Sequence, residues 1–363
     1  MKKIGILTFH RAVNYGAVLQ TYALQHQIQN MGAECKVIDY QCDAIEDCYK
    51  PFRIEKEQLF KSVLKLPFRY YWTLKRKRRF QNFLNTKIHL TQRYSSSDLA
   101  ACNSEFDTFI TGSDQVWNST LTKMDTTYLL DFVRDPCKKA SYAASFGFDE
   151  IPEALKNTYE KLLSDFRQIS VREQQGADII RKLLNREVSV NIDPVLLLSQ
   201  QEWQQVASPV RQNDYIFVYT MEKTSTMINF IENLSQKTGC SIIWFTMGLR
   251  RPIREGKVQY IHTGSPEQFV GYIAGAKYVV TNSFHGTAFS ILFHKKFFVE
   301  YLPEPSKANS RLENILNLFQ LKERLILNGQ NDLIQQGIDY NAVDRVLNEE
   351  RKKAIHYLKK IVG

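Results

Sequence analysis

Hydrophobic and polar positions along the chain alternate between two patterns. Short runs rich in Ile, Val, Phe and Tyr are separated by longer stretches with apolar residues on one helical face. The first pair is a predicted strand at 4–9 and a helix at 16–30, after which a second strand is predicted at 36–40. Strands that alternate with helices in this way predict an α/β fold built on parallel sheets.

The alternation continues along most of the chain. It predicts further strands at 108–111, 139–143, 168–171, 188–192, 215–219, 241–246, 278–281 and 296–299. It predicts further helices at 55–85, 174–184, 224–237, 266–274, 286–293 and 341–361. The stretch from 194 to 213 is polar and weakly patterned, so we place a domain boundary there. The expected parts are an N-terminal domain at 1–205 with a basic helical insert near 55–90, a C-terminal domain at 206–330, and a C-terminal helix at 331–363 that packs back on the first domain.

Composition places the chain among ordinary folded proteins. Its 363 residues are enough for two domains, and 44% hydrophobic and 24% charged residues are near the average for globular proteins. The net charge of +10 favours anionic partners without choosing among phosphates, nucleic acid and lipid headgroups. Six cysteines show neither a Cys-x-x-Cys pair nor zinc-ligand spacing, so we expect reduced thiols and no metal.

The expected location is the cytoplasm. The apolar run at the N-terminus spans about six residues, which is shorter than the roughly 7–15 of a secretory signal. No run approaches the roughly 18 apolar residues of a membrane span, so any membrane contact is expected to be peripheral, on the inner face.

The strongest local motif is Tyr278-Val-Val-Thr-Asn-Ser-Phe-His-Gly-Thr-Ala, in which a buried strand leads into a helix. A helix N-terminus offers backbone N–H groups to an anion, and Gly286 would let an anion approach the backbone. His285 would lie at that point, where an imidazole can transfer a proton or pair with phosphate. The alternative is an ordinary turn whose histidine caps backbone groups.

Arginines mark two further positions. Arg172 follows the predicted strand at 168–171, where its planar guanidinium would match a carboxylate or phosphate. The alternative is an ion pair with Glu173 or another neighbour. Arg311 opens a late helix and would extend a cationic pocket, unless it is simply solvated.

The segment Phe109-Ile-Thr-Gly-Ser-Asp-Gln-Val-Trp-Asn is a third candidate. Gly112 and Ser113 are suited to an anion-binding turn, and Asp114 to a base or a ligand of sugar hydroxyls. Trp117 offers a face for a sugar ring. The alternative is an Asp helix cap followed by a tryptophan in the core.

The loop after the first strand reads His10-Arg-Ala-Val-Asn-Tyr-Gly-Ala. Dinucleotide-binding proteins keep a Gly-x-Gly-x-x-Gly motif at this point, and only one glycine is present, although Asp39 has the spacing of a ribose ligand. A nicotinamide enzyme is therefore disfavoured. We expect Asn14 and Gly16 instead to shape a loop over another anion or a sugar.

The run Lys75-Arg-Lys-Arg-Arg lies in a predicted helix next to Trp72 and Phe80. A solvated helix face and a contact with an anionic membrane surface both stay open. Nucleic-acid binding is disfavoured, because no recognised nucleic-acid motif accompanies the charge.

Six segments, in this order, resemble the polysaccharide pyruvyl transferase family. They are Asn14-Tyr-Gly-Ala-Val-Leu-Gln-Thr-Tyr-Ala-Leu, Thr111-Gly-Ser-Asp-Gln-Val-Trp-Asn, Ser141-Tyr-Ala-Ala-Ser-Phe-Gly, Ser170-Val-Arg-Glu, Asp193-Pro-Val-Leu-Leu-Leu and Thr281-Asn-Ser-Phe-His-Gly. The resemblance covers roughly residues 1–320. The basic insert near 50–90 matches no motif of the family, which leaves the choice of acceptor open.

The resemblance implies two Rossmann-like domains in a glycosyltransferase-B-like arrangement, with the active site in the interdomain cleft. It implies phosphoenolpyruvate as donor, a sugar or lipid-linked oligosaccharide as acceptor, and a pyruvate ketal on a capsule, exopolysaccharide or cell-wall glycan as product. Arg172 and His285 match the family's donor-binding and catalytic pair, and no metal or organic cofactor is required. Asp114 is a secondary catalytic candidate. The expected substrate-binding residues are Asn14, Tyr15, Gly16, Gly112, Ser113, Trp117, Asn282, Ser283, Phe284, Gly286 and Arg311.

Two other functions stay open from the sequence. One is a nucleotide-sugar-dependent glycosyltransferase of the same fold, which would also need a positive pocket. The other is a non-catalytic protein that binds a saccharide or a lipid surface through its basic helix.

Overall fold

The computed structural model describes residues 1–47, 66–246, 248, 251–253, 256–303, 309–327 and 332–363. By its contacts the chain divides into two compact units. Unit 1 comprises Met1–Cys48, Leu84–Leu198 and Leu347–Gly363, and unit 2 comprises Tyr49–Phe83 and Ser199–Val346. The last helix thus ends in unit 1, and the basic run 75–79 belongs to unit 2.

Unit 1 is built on a parallel sheet of five strands. These are β1 (Lys3–Leu7), β2 (Glu34–Tyr40), β3 (Leu90–Tyr94), β4 (Thr108–Thr111) and β5 (Lys139–Ser141), in the order β3-β2-β1-β4-β5. Two short parallel strands, β6 (Ser170–Val171) and β7 (Ser189–Val190), pair with each other. Isolated bridges from Ala140 to Gln168 and from Ala144 to Val171 extend the sheet from β5 to β6.

Helices pack on this sheet because each connection between parallel strands must cross over. They are α1 (Tyr15–Asn30), α2 (Asp43–Asp47), α3 (Leu66–Lys87, divided between the units), α4 (Ser119–Thr122), α5 (Glu153–Ser164), α6 (Gln174–Leu184) and the end of α12 (Tyr340–Val362). Helix α1 begins where Asn14 Oδ1 accepts the N–H of Ala17 at 3.3 Å. The Tyr357 hydroxyl of α12 donates to the Ser141 carbonyl at 2.9 Å, which fixes the helix against β5.

Unit 2 repeats the design. Its strands are β8 (Tyr215–Tyr219), β9 (Ser241–Phe245), β10 (Val258–Ile261), β11 (Tyr278–Thr281) and β12 (Lys296–Val299), all parallel, in the order β10-β9-β8-β11-β12. Its helices are the start of α3, then α7 (Gln200–Val206), α8 (Ser225–Thr238), α9 (Pro266–Gly275), α10 (Phe284–Leu292), α11 (Asn309–Leu318) and the start of α12. In each unit the strand order reverses beside the first strand, and this is where open parallel sheets bind ligands.

Aromatic residues fill one side of the unit 2 sheet. Phe217 and Phe245 lie with ring centroids 5.1 Å apart, and Phe269 of α9 packs edge-on against Phe217 at 5.7 Å. Strands buried on both faces read as continuous apolar runs rather than as alternating ones. That is why Tyr215–Tyr219 could be recognised from the sequence.

Most predicted elements are confirmed. The structure reproduces the strands at 108–111, 215–219, 278–281 and 296–299 and the helix at 174–184 to the residue. Strands β3 and β10 were not predicted. Of the basic helix predicted at 55–85, residues 55–65 lie outside the described residues, and the described part runs from Leu66 to Lys87.

Candidate functional site

The predicted site residues fall into two groups, one in each unit. Unit 1 holds Asn14, Tyr15, Gly16, Gly112, Ser113, Asp114, Trp117 and Arg172, whereas unit 2 holds Asn282, Ser283, Phe284, His285, Gly286 and Arg311. Within each unit these residues lie mainly in loops at the carboxyl ends of strands or in the helix turns that follow.

In unit 1 the loop after β4 has a backbone that only glycine allows at one position. Gly112 has φ +113°, and a Cβ there would lie 2.3 Å from the carbonyl oxygen of Tyr142. The next residue, Ser113, is fully buried: its N–H donates to Gln20 Oε1 at 3.2 Å and its hydroxyl to the Ala143 carbonyl at 2.8 Å. Ser113 therefore ties this loop to α1 and to the segment that follows β5.

Arg172 lies at the centre of a buried ion-pair network. Its Nη1 donates to Asp193 Oδ2 at 2.9 Å, its Nε lies 3.5 Å from Glu173 Oε2, and its Nη2 lies 3.8 Å from Asp114 Oδ1. Burial alone would lower the pKa of Arg172, but the three carboxylates outweigh it and raise the pKa. The guanidinium charge is therefore compensated within unit 1.

The surroundings of Arg172 define a structural role for it. The Ser113 hydroxyl, whose proton is shared with the Ala143 carbonyl, also lies 3.2 Å from Asp193 Oδ2, and Glu173 accepts the Ser145 hydroxyl. Of the two alternatives considered from the sequence, the ion pair is present, but it lies in the interior rather than at the surface. A role of Arg172 in donor binding stays a prediction.

Two further predicted residues of this loop lie nearby. Asp114 has φ 76° and is mostly buried, and its carboxylate accepts the N–H of Gln115 at 2.9 Å. Trp117 is only 1% exposed: it packs against Phe146 and Phe166, and its Nε1 donates to the Tyr128 carbonyl at 3.2 Å. In this structure Trp117 belongs to the core and presents no open face to a sugar, which matches one half of the alternative. The other half, an Asp helix cap, is not found, because the next helix is capped by Asn118.

The loop after β1 contains a charged cluster that the sequence analysis did not connect. His10 Nε2 lies 3.0 Å from Asp39 Oδ1, and the Arg11 guanidinium donates to both carboxylate oxygens. Burial would raise the pKa of Asp39, but the bonds from Arg11 and His10 outweigh it and hold the pKa well below its usual range. Asp39, noted for its spacing to a ribose, is thus engaged by the chain itself. The neighbouring Tyr15 and Gly16 are buried in the first turn of α1.

In unit 2, Asn282 and Ser283 organise the loop between β11 and α10. Asn282 Oδ1 accepts the N–H of Met221 at 2.6 Å, and its amide donates to the Glu222 carbonyl at 3.0 Å. Ser283 is the N-cap of α10 and accepts the N–H of Gly286 at 3.4 Å. Both residues therefore hold the turn in place, beside the point where the strand order reverses.

His285 lies in the first turn of α10, as the sequence predicted. It is 7% exposed, and its ring lies edge-on to Phe284 with centroids 5.1 Å apart. Gly286 is required for a packing reason, because a Cβ there would lie 2.4 Å from Thr281 Oγ1 of β11. The glycine brings the helix close to the strand, which places His285 directly beyond the carboxyl end of β11.

The remaining predicted cations have distinct surroundings. Arg311 is half-buried in the first turn of α11. In the basic run, Lys75, Lys77 and Arg78 are exposed, whereas Arg76 and Arg79 face the loop after β10. The run is therefore only partly a solvated face.

Neither a metal-ligand cluster nor a membrane-spanning helix is found among the described residues. No group of three or more His, Cys, Asp or Glu side chains among them is arranged to hold a metal ion. No helix in the described part of the chain is both long and apolar enough to cross a membrane.

Comparison with solved structures defines the class of fold. A UDP-GlcNAc 2-epimerase from Neisseria meningitidis aligns with a TM-score of 0.50 at 13% identity, over 99% of this chain and 100% of that one. A UDP-N-acetylglucosamine 2-epimerase from Rickettsia bellii aligns with a TM-score of 0.45 at 11% identity, over 100% of this chain and 97% of that one. MurG from Acinetobacter baumannii aligns with a TM-score of 0.44 at 9% identity, over 100% of this chain and 99% of that one. With the two parallel sheets, the first of these confirms the predicted glycosyltransferase-B-like fold with two Rossmann-like units. Likeness at this level of identity shows the fold alone.

Sequence comparison identifies the family. The profile of the polysaccharide pyruvyl transferase family matches residues 14–301, which is most of the chain. The protein belongs to this family, as the six motifs predicted. No curated protein matches the chain.

Proposed function

We propose that the protein transfers the pyruvyl unit of phosphoenolpyruvate onto a sugar of a bacterial capsule, exopolysaccharide or cell-wall glycan, forming a pyruvate ketal. The observation that carries the proposal is the family match over residues 14–301. The acceptor is a free or lipid-linked saccharide, and the reaction takes place in the cytoplasm or at the inner face of the membrane. No metal or organic cofactor takes part in the proposed reaction.

The chemistry of the donor agrees with the charge of the protein. Phosphoenolpyruvate carries a phosphate and a carboxylate, so a protein that binds it needs fixed positive charge or oriented N–H groups. The chain has a net charge of +10, and helix α10 begins at a strand end where the strand order reverses. These features support an anionic substrate.

The proposed reaction balances without a further reagent. One sugar hydroxyl attacks C2 of the donor while the methylene carbon gains a proton and becomes a methyl group. The bond between C2 and the phosphate oxygen then breaks, inorganic phosphate leaves, and a neighbouring hydroxyl closes the ketal. Of the two hydroxyl protons, one is balanced by the methyl group and the other leaves with phosphate or solvent.

We assign roles to three residues in this scheme. His285 donates the proton or pairs with the departing phosphate, in line with its position beyond β11. Asp114 is a secondary candidate for activating the acceptor hydroxyl. Arg172 is assigned to donor binding on the basis of the family resemblance. Because three carboxylates pair with Arg172, any variant at this position must first be shown to fold.

The test is an assay of the purified protein with phosphoenolpyruvate and a panel of sugars and lipid-linked saccharides. We expect phosphate release that depends on the acceptor, together with a new ketal methyl signal by proton NMR. His285→Gln should lower the rate at least about a hundredfold, because general acid–base catalysis contributes 10²–10⁴. His356→Gln, an exposed histidine in α12, is the matched control and should leave the rate unchanged.

The same assay separates the proposal from its rival. Consumption of a UDP- or GDP-sugar, with no phosphate released from phosphoenolpyruvate for any acceptor, would show a glycosyltransferase instead. Near-normal turnover of His285→Gln would remove that residue from the mechanism but would leave the overall reaction standing.

A further inference from the structure

A row of polar side chains lies just beyond the strand ends of unit 2. In the sheet, Val218 of β8 pairs with Trp244 of β9, and Trp244 pairs with Tyr260 of β10. Because side chains alternate along a strand, residues two positions further on lie on the same face. These residues are Thr220, Thr246 and His262, which we call the carboxyl-edge row. The N–H of Thr246 donates to the Ile261 carbonyl at 3.1 Å, so strand pairing continues up to the row.

Several buried polar atoms in this region have no hydrogen-bond partner among the described residues. Within the described parts of the chain, neither ring nitrogen of His262 has a hydrogen-bond partner, and neither has the hydroxyl of Thr220 or the Nε1 of Trp244. His262 is 7% and Thr220 8% exposed. A buried polar group without a partner is unfavourable and rare in folded proteins, so three of them on adjacent strands require an explanation.

The rest of the sheet edge differs in this respect. One place further along, Asn282 after β11 bonds to Met221 and Glu222 of the loop after β8. Next to it, Glu300 after β12 accepts the Thr224 hydroxyl at 2.7 Å. Among the described residues at this edge, Asn282 and Glu300 are thus satisfied by the loop after β8, whereas Thr220, His262 and the Nε1 of Trp244 are not.

Positive charge surrounds the carboxyl-edge row. Lys223 Nζ donates to Thr246 Oγ1 at 3.0 Å and lies 5.4 Å from the centre of the Trp244 ring. Burial, together with the charges of Arg251, Lys223 and Arg76, outweighs an opposing contribution from the Gly248 backbone and lowers the pKa of His262 to about 4. The imidazole is therefore neutral at pH 7, with one nitrogen that donates and one that accepts.

Helix α3 holds the histidine in position. Trp72 stacks on the His262 ring with centroids 4.0 Å apart and planes within 3°. Arg76 Nη1 donates to the His262 carbonyl at 3.2 Å, and Arg79 Nη1 donates to the Thr263 carbonyl at 2.6 Å. A ring that is fixed on one side, with neither nitrogen hydrogen-bonded to a described residue, is preorganised for a ligand.

We propose that the carboxyl-edge row, together with Lys223, binds a phosphate group. Neutral N–H and O–H donors beside fixed positive charges are the partners that a phosphate oxygen prefers. A metal cation is excluded by the surrounding positive charge, and an apolar ligand would leave the same donors unsatisfied. The phosphate belongs either to the donor or to a diphosphate-bearing acceptor. The inference goes beyond the proposed function and does not require it.

The test is calorimetric titration of the full-length protein with inorganic phosphate and with pyrophosphate at low ionic strength. We expect pyrophosphate to bind. Lys223→Gln should lower the affinity for pyrophosphate about tenfold or more, because a hydrogen bond to a charged group is lost. Lys237→Gln is the matched control, since this exposed lysine lies at the other end of α8. The affinity of the Lys237→Gln variant for pyrophosphate should equal that of the unaltered protein.

A second variant separates binding from folding. Thr220→Val keeps the shape of the side chain and removes only the hydroxyl that lacks a partner. It should leave the melting temperature unchanged or raised, and should weaken pyrophosphate binding severalfold. Absence of pyrophosphate binding, or equal affinities in Thr220→Val, Lys223→Gln and Lys237→Gln, would overturn the proposal.

The source of the phosphate follows from two further titrations. If Lys223→Gln weakens the binding of phosphoenolpyruvate, the carboxyl-edge row binds the phosphate of the donor. If the substitution weakens the binding of a nucleoside diphosphate sugar but not that of phosphoenolpyruvate, the row binds the diphosphate of the acceptor. These are binding measurements, so they stand even where no pyruvyl transfer is found.

Discussion

Replacing Arg172 with methionine tests whether the buried ion-pair network stabilises unit 1. The Arg172 side chain is 2% exposed and that of Asp193 is not exposed at all. Removing one partner of a buried ion pair typically costs about 3–5 kcal/mol, because the remaining charge is buried without compensation. Asp193 would keep two polar contacts, with the Ser113 hydroxyl at 3.2 Å and the N–H of Val195 at 3.1 Å. We therefore expect the free energy of unfolding to fall by about 3 kcal/mol, at the lower end of that range. That is a large part of a typical total of about 5–15 kcal/mol.

The measurement is hydrogen exchange at increasing urea concentration, read on peptides from each unit. Peptides of β1 and β4 should exchange by opening at lower urea in Arg172→Met, whereas those of β8 in unit 2 serve as the internal reference. Arg181→Met is the matched control: its guanidinium is 46% exposed in ion pairs with Asp178 and Glu187, and we expect less than about 1 kcal/mol.

A double variant then isolates the pair. Asp193→Asn removes the negative charge, so Arg172→Met combined with it should cost clearly less than the sum of the two single changes. Additive losses of stability in the double variant would contradict a stabilising role of the network. So would a loss of stability in Arg172→Met that is no greater than in Arg181→Met. The outcome also governs activity assays, because an Arg172 variant that loses activity must first be shown to be folded.

Three other predictions follow from the geometry. Gly112→Ala should prevent folding of unit 1 or cost several kcal/mol more than Gly32→Ala, measured by yield and urea unfolding, because both glycines have positive φ but only Gly112 has a carbonyl in the way. Equal losses would contradict this. The pKa of Asp39 lies well below its usual range in the folded state, so its contribution to stability is complete at neutral pH and is lost progressively as the pH falls from about 4 through the folded pKa. Asp39→Asn should therefore destabilise the protein most at pH 7 and by a shrinking amount below about pH 4, with much of the loss still present at about pH 3. The pKa of His262 is also lowered, to about 4 from its ordinary 6.5, so the unfolded chain binds the proton first and stability falls as the pH drops from 6.5 to 4. His262→Asn should flatten that part of the stability profile, and an unchanged slope would show that the ring is not shielded.

The strands that could be predicted are those buried on both faces. Thr108–Thr111 and Tyr278–Thr281 are buried at every position, and their apolar runs were recognised. Strands β3 and β10 lie at the sheet edges and are largely polar or half-buried, so neither a continuous run nor a clean alternation marks them. The predicted start of α10 was two residues late, because the pattern does not show that Ser283 caps the helix.

The candidate site was only partly accessible from sequence. Motifs located Arg172 and His285 at strand ends, but the partners of Arg172 come from Asp114, Glu173 and Asp193, and the first and last of these are brought near only by the fold. His262 follows the strand that was not predicted and belongs to no motif. Its signal is its burial without partners, which only the three-dimensional arrangement shows.

The central claim is that this protein forms a pyruvate ketal from phosphoenolpyruvate, and one NMR experiment tests it most directly. The purified protein is incubated with phosphoenolpyruvate labelled with ¹³C at C3 and a panel of saccharide acceptors, while phosphate is followed by ³¹P. We expect the labelled methylene to become the methyl group of a ketal on the sugar, with one phosphate released for each ketal formed. Labelled phosphoenolpyruvate that stays intact with every acceptor, while a nucleotide sugar is consumed, would contradict it.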